Sequence, residues 1–196
     1  MNPTISSDII LASKSPRRAE IMKKHGADFF VYVPQVDEIT TCDDLQKLPE
    51  INASIKAAAA ADIFSDKTVI GADTVIFFED SIIGKPADIN DAHQILKRLS
   101  GHKHQVITGC TVINRNKNIN RSFSCISEVY FKNLTDADIH RYTALVHVLD
   151  KAGAYAIQEH SEIIIEKYSG SLENIIGFPW DEIYRCLISE GLAELN

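Results

Sequence analysis

Arg17 and Arg18 stand where a helix ordinarily opens with acids. Residues 9–18 read Ile-Ile-Leu-Ala-Ser-Lys-Ser-Pro-Arg-Arg: an apolar strand end, then a turn, then a helix start. Ser15 suits the N-cap, and Pro16 suits the first helical position, where no amide hydrogen is needed. That end of a helix carries positive partial charge, so two guanidinium groups there are locally unfavourable. Together with the hydroxyls of Ser13 and Ser15, they make the turn an anion site, phosphate foremost. A solvated helix start with incidental charges is the plainer alternative, and this segment alone leaves it open.

Asp73 lies in the middle of the apolar run Val69–Phe78, which reads as a central strand buried on both faces. A lone buried carboxylate costs several kcal/mol, so it must face a cation, hydrogen-bond donors or a cleft. Gly71 beside it permits close approach of a ligand or of backbone. Asp73 is thus either half of a structural ion pair or a working acid. Lys85 is held between Gly84 and Pro86, though a lysine in a turn is commonly just solvated. Lys56 precedes the run Ala57–Ala61, and Ala59 and Ala60, three and four residues on, leave room for another layer. Asp37 and Glu38 follow Pro34 in a loop, as hard-cation ligands or as solvated acids. The stretch 150–158 is rich in small residues around Gln158, whose amide offers both a donor and an acceptor. No Walker loop, nucleophile elbow or metal-type histidine spacing occurs in the chain.

The elements that must position these residues alternate in type, which predicts an α/β fold. Strands are expected at 8–12, 29–33, 68–78, 80–84, 104–114, 119–131, 153–158 and 161–167. Helices are expected at 16–26, 50–64, 88–99, 135–146 and 178–190, with Asp88 as an N-cap and Thr135 with Asp138 as a capping box. A chain of 196 residues holds one sizeable domain or two small lobes with a cleft. Without a repeat or linker, residues 1–196 read as a single unit. A hydrophobic content of 45% and a charged content of 24% are those of an ordinary globular protein. The net charge of -7 argues against a nucleic-acid partner. It also requires a polyanionic substrate to meet a local cationic pocket and a divalent metal. The four cysteines are scattered, as in a reduced, cytoplasmic protein, and no apolar run approaches the ~20 residues of a membrane span.

Taken together, these pieces resemble the Maf family of nucleoside triphosphate pyrophosphatases. The resemblance rests on Leu11-Ala12-Ser13-Lys14-Ser15-Pro16-Arg17-Arg18, Gly71-Ala72-Asp73-Thr74, Gly84-Lys85-Pro86 and Leu99-Ser100-Gly101-His102 with Val106 and Thr108-Gly109. Asp150-Lys151-Ala152-Gly153-Ala154-Tyr155, Ile157-Gln158 and Gly177-Phe178-Pro179 continue it in the family's order. It implies an elongated, twisted mixed β-sheet flanked by helices, two lobes with a deep cleft, and a homodimer. The implied activity is hydrolysis of a nucleoside triphosphate to the monophosphate and pyrophosphate with Mg²⁺ or Mn²⁺. The resemblance makes Asp73 the catalytic acid, Ser13, Arg17, Arg18, Lys56 and Lys85 substrate-binding, and Glu38 with Asp73 the metal ligands. Arg17, Thr74 and Gln158 match the specificity positions of the branch that acts on dTTP and UTP. The chain departs from the family around Gln158, with Ala156 for a usual glycine and Glu159-His160 after the amide. A purine (inosine or xanthosine triphosphate) pyrophosphatase and a non-catalytic regulator of septum formation are the alternatives.

Overall fold

The computed structural model describes residues 8–193. Its strands are β1 (Ile9–Ala12), β2 (Phe30–Tyr32), β3 (Thr68–Phe78), β4 (Ser81–Ile83), β5 (Lys103–Asn114), β6 (Ile119–Phe131) and β7 (Ile165–Ser169). The helices are α1 (Pro16–Lys24), α2 (Leu48–Ala61), α3 (Ile89–Leu99), α4 (Asp136–Leu145), α5 (Ser161–Ile164), α6 (Leu172–Ile176) and α7 (Trp180–Ser189). The strands form one seven-stranded mixed sheet in the order β2-β1-β3-β5-β6-β7, with β4 pairing β3 off this path. β1 is parallel to both β2 and β3, whereas β3–β4 and β6–β7 are antiparallel. The α/β expectation is met.

The chain divides into two compact units: 1–73, 108–125 and 177–196 form the first, and 74–107 with 126–176 the second. In the first unit, Ile10, Ala12, Val69 and Ile113 pack against Ala57, Ala60 and Ala61 of α2. In the second, Ile76, Phe78, Val106, Val129 and Phe131 pack against Leu96, Leu99, Ile139 and Tyr142. His104 is 2% exposed in that core and shares a 2.8 Å hydrogen bond with the Tyr155 hydroxyl.

Local chemistry explains most boundaries. Glu79 and Asp80 both adopt positive φ (49° and 57°), the tight turn that joins β3 to β4. The Asp88 carboxylate accepts from the Asp91 N–H at 2.8 Å, and Thr135 with Asp138 forms a complete capping box. Two expectations fail. Residues 153–158 are not a strand, because Gly153 (φ 70°) and Ala154 (φ 59°) are left-handed and turn the chain through a short 3₁₀ segment, Ala152–Ala154. Residues 161–164 are a helical turn entered through left-handed His160, and the strand begins only at Ile165. The apolar run Ile163-Ile164-Ile165 fits either period, so sequence could not divide it.

Candidate active site

The centre of the candidate site is set by how closely α2 lies on the sheet. A Cβ added to Gly71 of β3 would stand 2.4 Å from the Ala53 carbonyl oxygen and 2.9 Å from the Ala57 Cβ. One added to Gly109 of β5 would stand 2.2 Å from the Glu50 nitrogen. Both strands therefore need glycine where α2 crosses them, and the helix backbone is seated at two points. The small residues facing Gly71 are Ala53 and Ala57; of the expected Ala59 and Ala60, Ala60 is buried in the core of the first unit.

Residues two apart on a strand share a face, so Asp73 faces α2 as Gly71 does. There the Lys56 ammonium donates to Asp73 Oδ1 at 2.8 Å and lies 3.1 Å from Glu38 Oε1. The Lys56 and Asp73 side chains are 11% and 14% exposed, while that of Glu38 is 45% exposed. Two acids from separate segments thus converge on one cation inside the first unit. Glu38 is delivered by a buried asparagine one helical turn before Lys56. Asn52 Oδ1 accepts from the Ile39 N–H at 2.9 Å, and its Nδ2 donates to the Ile39 carbonyl at 3.0 Å. This two-point clamp fixes the loop backbone directly beside Glu38.

The helix-opening arginines take different roles. Arg18 is buried, and it donates to the Gly177 carbonyl (2.9 Å), the Ala72 carbonyl (2.7 Å) and Ser13 Oγ (3.1 Å). Burial lowers its pKa from the ordinary value, opposed by the charges of Asp73 and Glu38. A guanidinium still remains charged under such pressure. Arg18 therefore ties the start of α1 to the residue before Asp73, with a positive charge held at that point. Arg17, one position earlier in the helix, is half-buried. Ser15 occupies the N-cap as expected but makes no side-chain cap; its N–H donates instead to Ser13 Oγ at 3.1 Å.

The structure thus brings Ser13, Arg18, Glu38, Lys56 and Asp73 together in the first unit, to which Arg17 also belongs. Thr74, Lys85 and Gln158 belong to the second. Thr74 follows Asp73 directly, so strand alternation turns its side chain to the opposite face of β3. Lys85 is exposed after β4, where the Gly84 carbonyl accepts the Gly153 N–H at 2.9 Å. Gln158 is exposed in a turn rather than on a strand, and neighbouring His160 is exposed with its Nδ1 3.6 Å from Glu162 Oε1. Asn52 was missed by the sequence reading, while Gly109 and Gly177 entered it only as motif residues of the resemblance, without a role. Asn52 left a usable trace: a poor helix former inside a helix, four residues before Lys56. The close approach at Gly109 and the use of the Gly177 carbonyl left no trace beyond those motif positions.

The donor set suits a hard divalent cation. Glu38 and Asp73 already direct one carboxylate oxygen each at a single positive charge, and Mg²⁺ is commonly held by one or two carboxylates plus substrate phosphates.

A family model described as "Maf-like protein" matches residues 8–190. The dTTP/UTP pyrophosphatase of Akkermansia muciniphila is 41% identical over 180 residues, 91% of this chain and 94% of that protein. The dTTP/UTP pyrophosphatase of Thermosipho africanus is 39% identical over 188 residues, 96% of each chain. Among solved structures, the Staphylococcus aureus Ham1 protein aligns with a TM-score of 0.53 at 19% identity, over 93% of this chain and 98% of its own. At that identity the likeness concerns the fold alone.

Proposed function

The chain belongs to the Maf-like family, and from that premise we propose that it is a nucleoside triphosphate pyrophosphatase acting on dTTP and UTP. The observation that carries the reading is the convergence of Glu38 and Asp73 on one cation beside the arginine-bearing start of α1. A binding-only regulator has no need of two acids aimed at a cation, and the relatives named for activity on dTTP/UTP favour pyrimidine over purine substrates.

In the reaction, a water oxygen bonds to the α-phosphorus while the bridging bond to the β-phosphate breaks and pyrophosphate leaves. Little covalent work falls to the protein, so positioning and charge neutralisation dominate. Arg17, Lys56 and Lys85 supply cations for the phosphate oxygens, and Ser13 a hydroxyl donor. Arg18, already bonded to three protein acceptors, adds a fixed positive charge and keeps the backbone at Ala72 in place. Asp73 orients the attacking water and accepts its proton. Glu38 and Asp73 would hold a divalent metal, Mg²⁺ or Mn²⁺, which when bound neutralises phosphate charge. Gln158, with Arg17 and Thr74, is assigned base recognition on the motif match. An amide complements the O4 acceptor and N3–H donor of uracil or thymine, and cytosine presents the reverse.

The same reading extends to a cytoplasmic homodimer; among the described residues no helix is long and apolar enough to cross a membrane. Light scattering in solution checks the dimer. A panel of nucleoside triphosphates, with phosphate and pyrophosphate quantified separately and with a chelator control, tests the activity. Pyrophosphate release from dTTP and UTP, abolished by the chelator, supports it; phosphate release, or preference for purines, contradicts it.

A further inference from the structure

The Lys56 ammonium lies between Glu38 Oε1 and Asp73 Oδ1, the two acids proposed to hold the metal, at 3.1 and 2.8 Å. It cannot serve both as counter-ion to these acids and as a phosphate ligand while they hold a second cation. Resting on the pyrophosphatase reading, we propose that Lys56 is an exchangeable counter-ion. It pairs with Glu38 and Asp73 before substrate arrives, then swings to the incoming triphosphate and frees both carboxylates for the divalent cation.

The surroundings allow this exchange by side-chain motion alone. Gly71 and Gly109 seat the α2 backbone, so the Lys56 Cα stays put. Asn52 clamps Ile39, so the Glu38 backbone stays put as well. What can move is the flexible four-carbon stem of Lys56 and the half-exposed Glu38 carboxylate. Arg18 cannot substitute for Lys56, since its guanidinium is bound to Gly177, Ala72 and Ser13. The device makes metal and nucleotide binding mutually reinforcing, because the triphosphate stabilises the displaced ammonium while the metal stabilises the vacated carboxylates. It also keeps a cation against the partly desolvated Asp73 at all times, which avoids an uncompensated buried charge.

The test is Mn²⁺ binding without nucleotide, followed by electron paramagnetic resonance, in wild type, Lys56→Met and Glu38→Gln. Removing the resident cation is expected to tighten Mn²⁺ at least tenfold in Lys56→Met and to enlarge the Mn²⁺-induced rise in melting temperature. Glu38→Gln, altered at a half-exposed side chain, is expected to weaken Mn²⁺. In wild type, a non-hydrolysable triphosphate analogue should tighten Mn²⁺, and this coupling should shrink in Lys56→Met. Unchanged or weaker Mn²⁺ binding in Lys56→Met overturns the exchange. Should Lys56→Met fail to fold, absence of analogue–Mn²⁺ coupling in wild type overturns it equally. Failure of the pyrophosphatase reading is separate: it shows as no metal-dependent release of pyrophosphate by wild type, whatever the Mn²⁺ affinities.

Discussion

Gly71→Ala should cripple turnover without touching any side chain that contacts substrate. The new Cβ would lie 2.4 Å from the Ala53 carbonyl oxygen, 2.9 Å from the Ala57 Cβ and 3.0 Å from the Ala57 nitrogen. Ordinary contact begins near 3.4 Å, so α2 must retreat from β3 by about 1 Å. No flexible side chain can absorb the clash, because the opposing atoms are helix backbone and an alanine methyl. Overpacking of this kind costs about 1–3 kcal/mol, roughly 3–10 °C of melting temperature for a chain of this size. The same retreat carries Lys56 away from Asp73, whose present separation is 2.8 Å. A misplacement of about 1 Å in a reacting constellation can lower the rate about 100-fold. Pyrophosphate release from UTP at saturating substrate, alongside thermal melting, reads both effects. A Gly71→Ala protein that melts and turns over like wild type would refute the account of how α2 is seated.

Two further outcomes follow from other parts of the structure. His104 is buried against Phe131 and Tyr155 with its Nδ1 unpartnered, and burial lowers its pKa from 6.5 to about 4. The unfolded chain therefore takes up a proton near pH 6.5 that the folded chain refuses until about pH 4. Stability is intact above that window and falls by about 3 kcal/mol in total as pH drops through it; urea midpoints between pH 7 and pH 4.5 should show the slope, and His104→Gln should flatten it. Asn52→Ala removes the clamp on Ile39 and leaves that residue's N–H and C=O without their partners. It should cost about 1–3 kcal/mol and weaken Mn²⁺ binding through Glu38, whereas an unchanged Mn²⁺ titration would show that the clamp does not place that acid.

Legibility followed how local the determining physics was. The long strands β3 and β5 and the caps at Asp88 and Thr135 were readable because each rests on a run of apolar residues or on a side chain three residues from its target, and β6 because apolar and polar residues alternate after the polar turn that follows β5. Asp73 announced itself as a charge inside an apolar strand. Its partner did not: Lys56 reaches it across 17 positions, and only packing at Gly71 decides that they meet. Segment 153–158 misled because alternating small and apolar residues imitate a strand, while left-handed Gly153 and Ala154 hold a turn through a bond to Gly84. Arg18 read as one of two equivalent phosphate cations. Its hydrogen bonds also tie α1 to the approach to Asp73, something residue type could not foretell.

The most direct trial is steady-state pyrophosphate production from dTTP and UTP by Asp73→Asn, a change that keeps the side chain's shape and removes its charge. Turnover should collapse by at least two orders of magnitude while binding of a non-hydrolysable analogue largely survives. Near-normal production by that variant would mean the carboxylate at the heart of the site is a bystander.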